Sequence, residues 1–118
     1  MTNNLSIIDL EGVKQRLEGD LELWVELVQM FMDTHEEYLS NISTPLQQDN
    51  IEETMRALHT IKGALANIGA AKAAEIAREL EMIAKKNELG AVKNRHLELE
   101  SAVKEIPEAC AALGFKLS

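Results

Sequence analysis

A chain of 118 residues with 46% hydrophobic content is long enough for one domain around one core and too short for two, so residues 1–118 are expected to form a single domain. Its formal charge of -8 opposes binding to phosphate backbones or anionic lipid, and no cluster of Lys and Arg is large enough to offset it locally, which argues against nucleic acid and membrane surfaces as partners. Aromatic residues make up only 3%, beside six glycines and two prolines, while Ala, Leu, Glu, Ile and Lys are plentiful, a balance that predicts an all-α protein.

In chain order, Asp9 is placed to cap a short helix running through about Leu17, and Gly19-Asp20 breaks and recaps the chain before a long helix. That helix is predicted to reach about Ile42. Leu21, Trp24, Val28, Phe31, Tyr38, Leu39 and Ile42 recur along it at helical spacing, which makes Trp24 and Phe31 core residues rather than a stacking platform. Ser43 to Asp49, with Pro45, reads as a connection. Asn50 followed by Glu53 resembles a capping box and starts a helix that continues to Ile68, where Gly69 ends it. Ala70, Ala73, Ala74, Ala77 and Ala84 then alternate with Ile76, Leu80 and Ile83, so the next helix can pack closely before Asn87 and Gly90 stop it. Val92, Leu99, Val103, Ile106, Cys110 and Leu113 form the stripe of a last helix, which Pro107 should kink or loosen. Four long amphipathic helices with short connections predict an antiparallel up-down four-helix bundle, with the short N-terminal helix lying across one end as a cap.

Cys110 is the only cysteine, so no internal disulfide is possible, and its place on an apolar stripe predicts a buried inert thiol. Met1-Thr2-Asn3-Asn4 lacks the positive start and apolar run of a signal peptide, and no stretch of about 18 apolar residues could span a membrane. A soluble, cytoplasmic protein is expected.

The most informative segment is Leu58-His59-Thr60-Ile61-Lys62-Gly63-Ala64, closing at Ile68-Gly69. Ile51, Leu58, Ile61, Leu65 and Ile68 step by three, four and seven, one stripe facing a core. At about 100° per residue His59 sits roughly 160° from Ile61, with Lys62 about 60° to one side and Gly63 about 40° to the other. A histidine there is open to a partner protein. Gly63 costs about 1 kcal/mol relative to alanine within a helix. A C-cap role fails to explain it, because helical patterning continues to Ile68, so close approach of something to the backbone is the better account. His35 and His96 have no lysine and glycine after them.

The run H-T-I-K-G-A-L-A-N-I-G-A, residues 59–70, resembles the phosphoacceptor helix of histidine-containing phosphotransfer (HPt) domains, the relay modules of two-component signalling. The similarity extends upstream to Ile8-Asp9 and Arg16-Leu17-Glu18-Gly19-Asp20-Leu21-Glu22-Leu23, and downstream from Ala73 to Leu80-Glu81. It implies that His59 accepts a phosphoryl group on Nε2 from a receiver-domain aspartate and passes it to another receiver. Lys62 would offset the phosphoryl charge and Gly63 would leave room for the receiver. Met55, Arg56, Ala66 and Asn67 would contribute to the partner surface, together with the facing strip of the preceding long helix. Arg56 and Lys62 supply local positive charge suited to an acidic receiver pocket. Asn67 could equally be a solvated helix-end asparagine. Ala64 stands where many family members carry serine or alanine.

The resemblance also implies the partners: response-regulator receiver domains, a hybrid sensor histidine kinase, or both, met by a monomer without a cofactor of its own, the Mg²⁺ being brought by the receiver. No G-x-x-x-x-G-K-[ST] loop or glycine-rich nucleotide lid is present, so phosphorylation depends on an upstream donor. A di-iron bundle would need glutamates three before the histidines, but Met32, Arg56 and Lys93 stand there, so no metal site is expected. The Met1 start and compact length fit a free-standing protein, with one module of a larger kinase as the alternative. A helical interaction module that binds a regulator or kinase without chemistry is the competing function.

Overall fold

The computed structural model describes residues 6–117; the opening segment Met1-Thr2-Asn3-Asn4 lies outside them. Three helices begin where short polar side chains satisfy backbone donors that the first turn leaves free. Asp9 accepts from Gly12 N–H at 3.1 Å, Asp20 from Leu23 at 3.0 Å and Asn50 from Glu53 at 3.2 Å. They open α1 (Leu10–Arg16), α2 (Leu21–Gln47) and α3 (Ile51–Asn67), which α4 (Ala71–Lys85), α5 (Leu89–Lys104) and α6 (Ile106–Ala112) follow. The all-helical class agrees with the composition, and no strand occurs among the described residues.

The ends are as well defined as the starts. Glu18, Asp49 and Asn87 take positive φ after α1, α2 and α4, and the amide that follows each reaches back to the last turn: Gly19 to Lys14, Asn50 to Pro45 and Glu88 to Ile83. Gly69 does the same for α3, with φ +72°, and Ala70 N–H donates to Leu65 O at 2.9 Å. Only glycine fits at that position. A Cβ would overlap Val13 Cγ2 and come within 3.3 Å of Asp9 O.

Three boundaries differ from the sequence reading. Residues 43–47 are not a connection: α2 continues through Pro45 to Gln47. Proline removes one helical hydrogen bond, but Leu46 follows Ile42 by four residues on the same face and both are only 2% exposed, so continuing the helix buries another large side chain. Gly90 does not stop the fourth helix, which ends at Lys85 with Asn87 left-handed; Gly90 lies in the first turn of α5. The expected loosening at Pro107 divides the last helix in two, with α5 ending at Lys104 and α6 starting at Ile106, and only Glu105, still helical in φ and ψ, between them. Because α6 ends at Ala112, Leu113 is not on the buried stripe and is 41% exposed.

The core is assembled from one face of each long helix. Trp24, Val28 and Ile42 of α2 meet Leu58, Ile61 and Leu65 of α3, Leu80 of α4, and Val92, Leu99 and Val103 of α5, all essentially inaccessible. Helix α2 packs on α3 and α5, α3 on α4, and α4 on α5, so each of the four long helices has two neighbours. Trp24 closes one end, edge-on to Phe115 with ring centroids 5.4 Å apart.

That end fixes the carboxyl terminus of α3. Arg16 Nη2 donates to the carbonyls of Ala66 (3.1 Å) and Asn67 (3.4 Å), Trp24 Nε1 to Ile68 O (2.8 Å) and Asp9 N–H to Gly69 O (2.8 Å). Carbonyls that a helix leaves unpaired at its last turn are here claimed by α1 and α2. Helix α3 is thereby anchored at both ends, which presets the face it turns to solvent.

Candidate functional site

His59 lies at the middle of that face. Its side chain is 69% exposed, while the residues before it and two after it, Leu58 and Ile61, are fully buried. The ring is not merely solvated. Nδ1 lies 3.1 Å from Oε2 of Glu81, which projects from α4. Glu81 is a carboxylate on an otherwise apolar helix face, one turn from Ala77 and next to Leu80, and its side chain is only 8% exposed.

A carboxylate so placed needs cationic or hydrogen-bonding partners to be retained in charged form. Lys62, one turn beyond His59, supplies the closest contact, with Nζ 2.7 Å from Oε1. Lys85, one turn beyond Glu81 on α4, places Nζ 3.7 Å from Oε2. Burial pushes the Glu81 carboxyl up and is the largest single influence on it. The hydrogen bonds and charges of Lys62 and His59 together outweigh burial and hold the group below the usual carboxylate range.

The consequence falls on the imidazole. An ionised carboxylate can only accept, so the proton shared with Glu81 belongs to Nδ1. In the neutral ring this fixes the tautomer in which Nε2 carries the free lone pair. The neighbouring helix thus supplies an orienting group that a reading of the acceptor helix alone does not include.

Gly63, one turn beyond His59 on the other side from Lys62, is exposed, and a Cβ built there meets nothing within 4 Å. The fold itself therefore has no packing reason for glycine at this mid-helix position, unlike Gly69. The space above the backbone beside His59 is open.

The remaining residues singled out in the sequence are distributed along the same helix without converging on the ring. Arg56 is exposed and engaged with Glu53 Oε2 at 2.6 Å. Met55 is half-buried and packs against the core. Ala66 is exposed through its methyl group, its carbonyl being held by Arg16. Asn67 is exposed and lines a shallow groove with Met30, Phe31, Thr34 and Tyr38 of α2 and Ala64. A second groove, between the end of α2 and the start of α3, includes Tyr38, Asn41, Gln48, Arg56 and Thr60 but not His59. The exposed ring lines neither groove, which suits a macromolecular partner better than a small ligand, since the latter needs a concave site.

Glu81 and Lys85 were missed as site residues because their relation to His59 is a contact between helices. A signal was nevertheless present: Glu81 interrupts the stripe Ala73, Ala77, Leu80 and Ala84, and a lone carboxylate on a buried stripe calls for cations nearby. Among the described residues, no group of three or more His, Cys, Asp or Glu side chains is arranged to hold a metal ion, and no helix is long and apolar enough to cross a membrane.

No curated protein and no solved structure matches the chain. The family model for the Hpt domain matches residues 26–114, from the second turn of α2 to the turn after α6, with the His59, Lys62, Gly63 and Glu81 constellation inside the match and α1 outside it. Hpt domains serve histidine phosphotransfer in phosphorelay signalling, where they meet receiver domains and kinases. Three quarters of its length thus carries the pattern, and the chain belongs to the Hpt domain family.

Proposed function

We propose that this protein carries a phosphoryl group on His59 between receiver domains. The observation that carries the reading is the exposed ring of His59 with Nδ1 held by the buried carboxylate of Glu81. In the forward step the Nε2 lone pair attacks the phosphorus of a receiver's aspartyl phosphate. The phosphorus–oxygen bond to the aspartate breaks, and its electron pair returns to the carboxylate oxygen. No proton need leave the ring: Nδ1–H stays on Glu81, whose charge faces the phosphoimidazolium that forms. A second receiver's aspartate reverses the step. Phosphoryl transfer through a loose transition state depends mainly on positioning and charge neutralisation, and this chain contributes a ring held in one tautomer, the Lys62 charge and the open space at Gly63.

The partner surface comprises the strip of Met55, Arg56, Ala66 and Asn67 around His59 together with the facing residues of α2. The reading takes residues 1–118 as one domain, a monomer in which α2 to α5 run up and down in antiparallel order and α1 lies across one end. It is supported by turns of three residues between successive long helices and by the bonds from Asp9, Arg16 and Trp24 to the end of α3. A cytoplasmic setting is supported by Cys110, a buried free thiol.

Purified protein incubated with a phosphorylated receiver domain and Mg²⁺ should take up acid-labile, base-stable label, and His59→Gln should take up none while remaining folded. Label on His59→Gln would overturn the site. Binding of receivers without label on either protein would favour the interaction module.

A further inference from the structure

The two lysines beside Glu81 are unequal. Lys62 is 30% exposed and sits 2.7 Å from Oε1, a close pair whose opposite charges largely cancel when viewed from outside. Lys85 is 62% exposed, and its Nζ is 3.7 Å from the other oxygen, the same Oε2 that faces His59 Nδ1 at 3.1 Å. One carboxylate therefore stands between two lysines, and one positive charge remains uncompensated beside the ring. A phosphoryl group on His59 would bring roughly two negative charges at neutral pH. Lys62, closely paired with Glu81, can offset only part of that charge.

We propose that Lys85 is the second cation of the phosphoryl site, supplied by α4 rather than by the acceptor helix. This rests on the relay reading of His59 given above. The two distances to Oε2 place Lys85 Nζ no more than about 7 Å from Nδ1, and its exposed, flexible stem lets the ammonium swing from Glu81 toward phosphoryl oxygens on Nε2. The other cations near the ring sit in closer ion pairs, Arg56 with Glu53 at 2.6 Å and Lys62 with Glu81 at 2.7 Å. In a loose transition state charge leaves the phosphoryl oxygens, so a cation beside them holds the phosphohistidine more than it holds the transition state. Lys85 lengthens the life of the phosphorylated form.

The test is made on the full chain with phosphoramidate, a small donor that needs no receiver: Nε2 forms a bond to phosphorus as the phosphorus–nitrogen bond breaks and ammonia leaves. Phosphohistidine decay is followed by phosphorus NMR for the wild type, Lys85→Gln, Lys85→Arg and Lys86→Gln. Lys85→Gln should lose the group about threefold faster at 0.1 M salt, and the difference should shrink at 1 M, where the Debye length falls to about 3 Å. Lys85→Arg should restore the lifetime, and Lys86→Gln should match the wild type. Equal lifetimes for Lys85→Gln and the wild type, or equal effects of Lys85→Gln and Lys86→Gln, would overturn the proposal. A wild type that phosphoramidate labels on His59 but that no receiver labels would overturn the relay reading instead, and the Lys85 comparison would still be read. Failure of both phosphoramidate and a phosphorylated receiver to modify His59 would overturn both.

Discussion

Replacing Gly63 should make the protein more stable and a poorer relay at the same time. Glycine within a helix costs about 0.5–1 kcal/mol relative to alanine, and at Gly63 no steric penalty offsets the gain, since an added Cβ meets nothing within 4 Å. With a urea slope of about 1.5 kcal/mol/M, Gly63→Ala should raise the unfolding midpoint by roughly 0.3–0.7 M. Gly63→Gln, also a good helix former on an exposed face, should shift it in the same direction by a smaller amount. Transfer from a phosphorylated receiver should move the other way, falling a few-fold for alanine and about tenfold or more for glutamine, as the longer side chain fills the space beside His59. Gly90, whose Cβ would also meet nothing, is the control: Gly90→Ala should leave transfer at the wild-type rate. Rapid-quench transfer assays beside urea melts measure both quantities. Destabilisation by Gly63→Ala would refute the open-space argument. Wild-type transfer by Gly63→Gln would show that no partner passes over this position.

Three further outcomes are expected. Trp24→Phe removes the 2.8 Å bond to Ile68 O from a fully buried site and should cost about 2–4 kcal/mol in urea melts, from an orphaned carbonyl and the vacated volume; a loss under 1 kcal/mol would contradict the anchoring of α3. Glu81, held below the ordinary carboxylate range when folded, contributes stability that is complete above about pH 4.3, the unfolded value, and is lost as pH falls through the lower folded value. Melts at pH 6 and pH 3.5 should therefore show a larger loss for the wild type than for Glu81→Gln; parallel losses would refute the assignment. Cys110 is fully buried, and burial pushes its thiol up, so an aromatic disulfide reagent should react at least about a hundredfold more slowly with native than with unfolded protein. Rapid stoichiometric reaction of the native form would place the thiol elsewhere.

How much of this could be read from the sequence followed from how local each cause is. The acceptor helix was legible from end to end, because Asn50, the apolar stripe and Gly69 are all local signals and each acts in the structure as its chemistry suggests. The exposure of His59 followed from the same stripe. The end of α2 was misplaced because Pro45 is a strong local breaker, while burial of Leu46, which overrides it, depends on neighbours distant in sequence. Glu81 and Lys85 were not assigned to the site for the same reason: they reach His59 across 22 and 26 positions of chain, and only the packing of α4 on α3 brings them there. The capture of α3's carbonyls by Arg16 and Trp24 is likewise a tertiary event, written in residue types that a sequence reading assigns to a surface and a core.

The central claim concerns one atom. After transfer from a phosphorylated receiver, phosphorus and nitrogen NMR of the uniformly labelled protein should show a single phosphohistidine, His59, substituted at Nε2 with the proton retained on Nδ1. Phosphate on Nδ1 of His59, or on any other residue, would contradict the account.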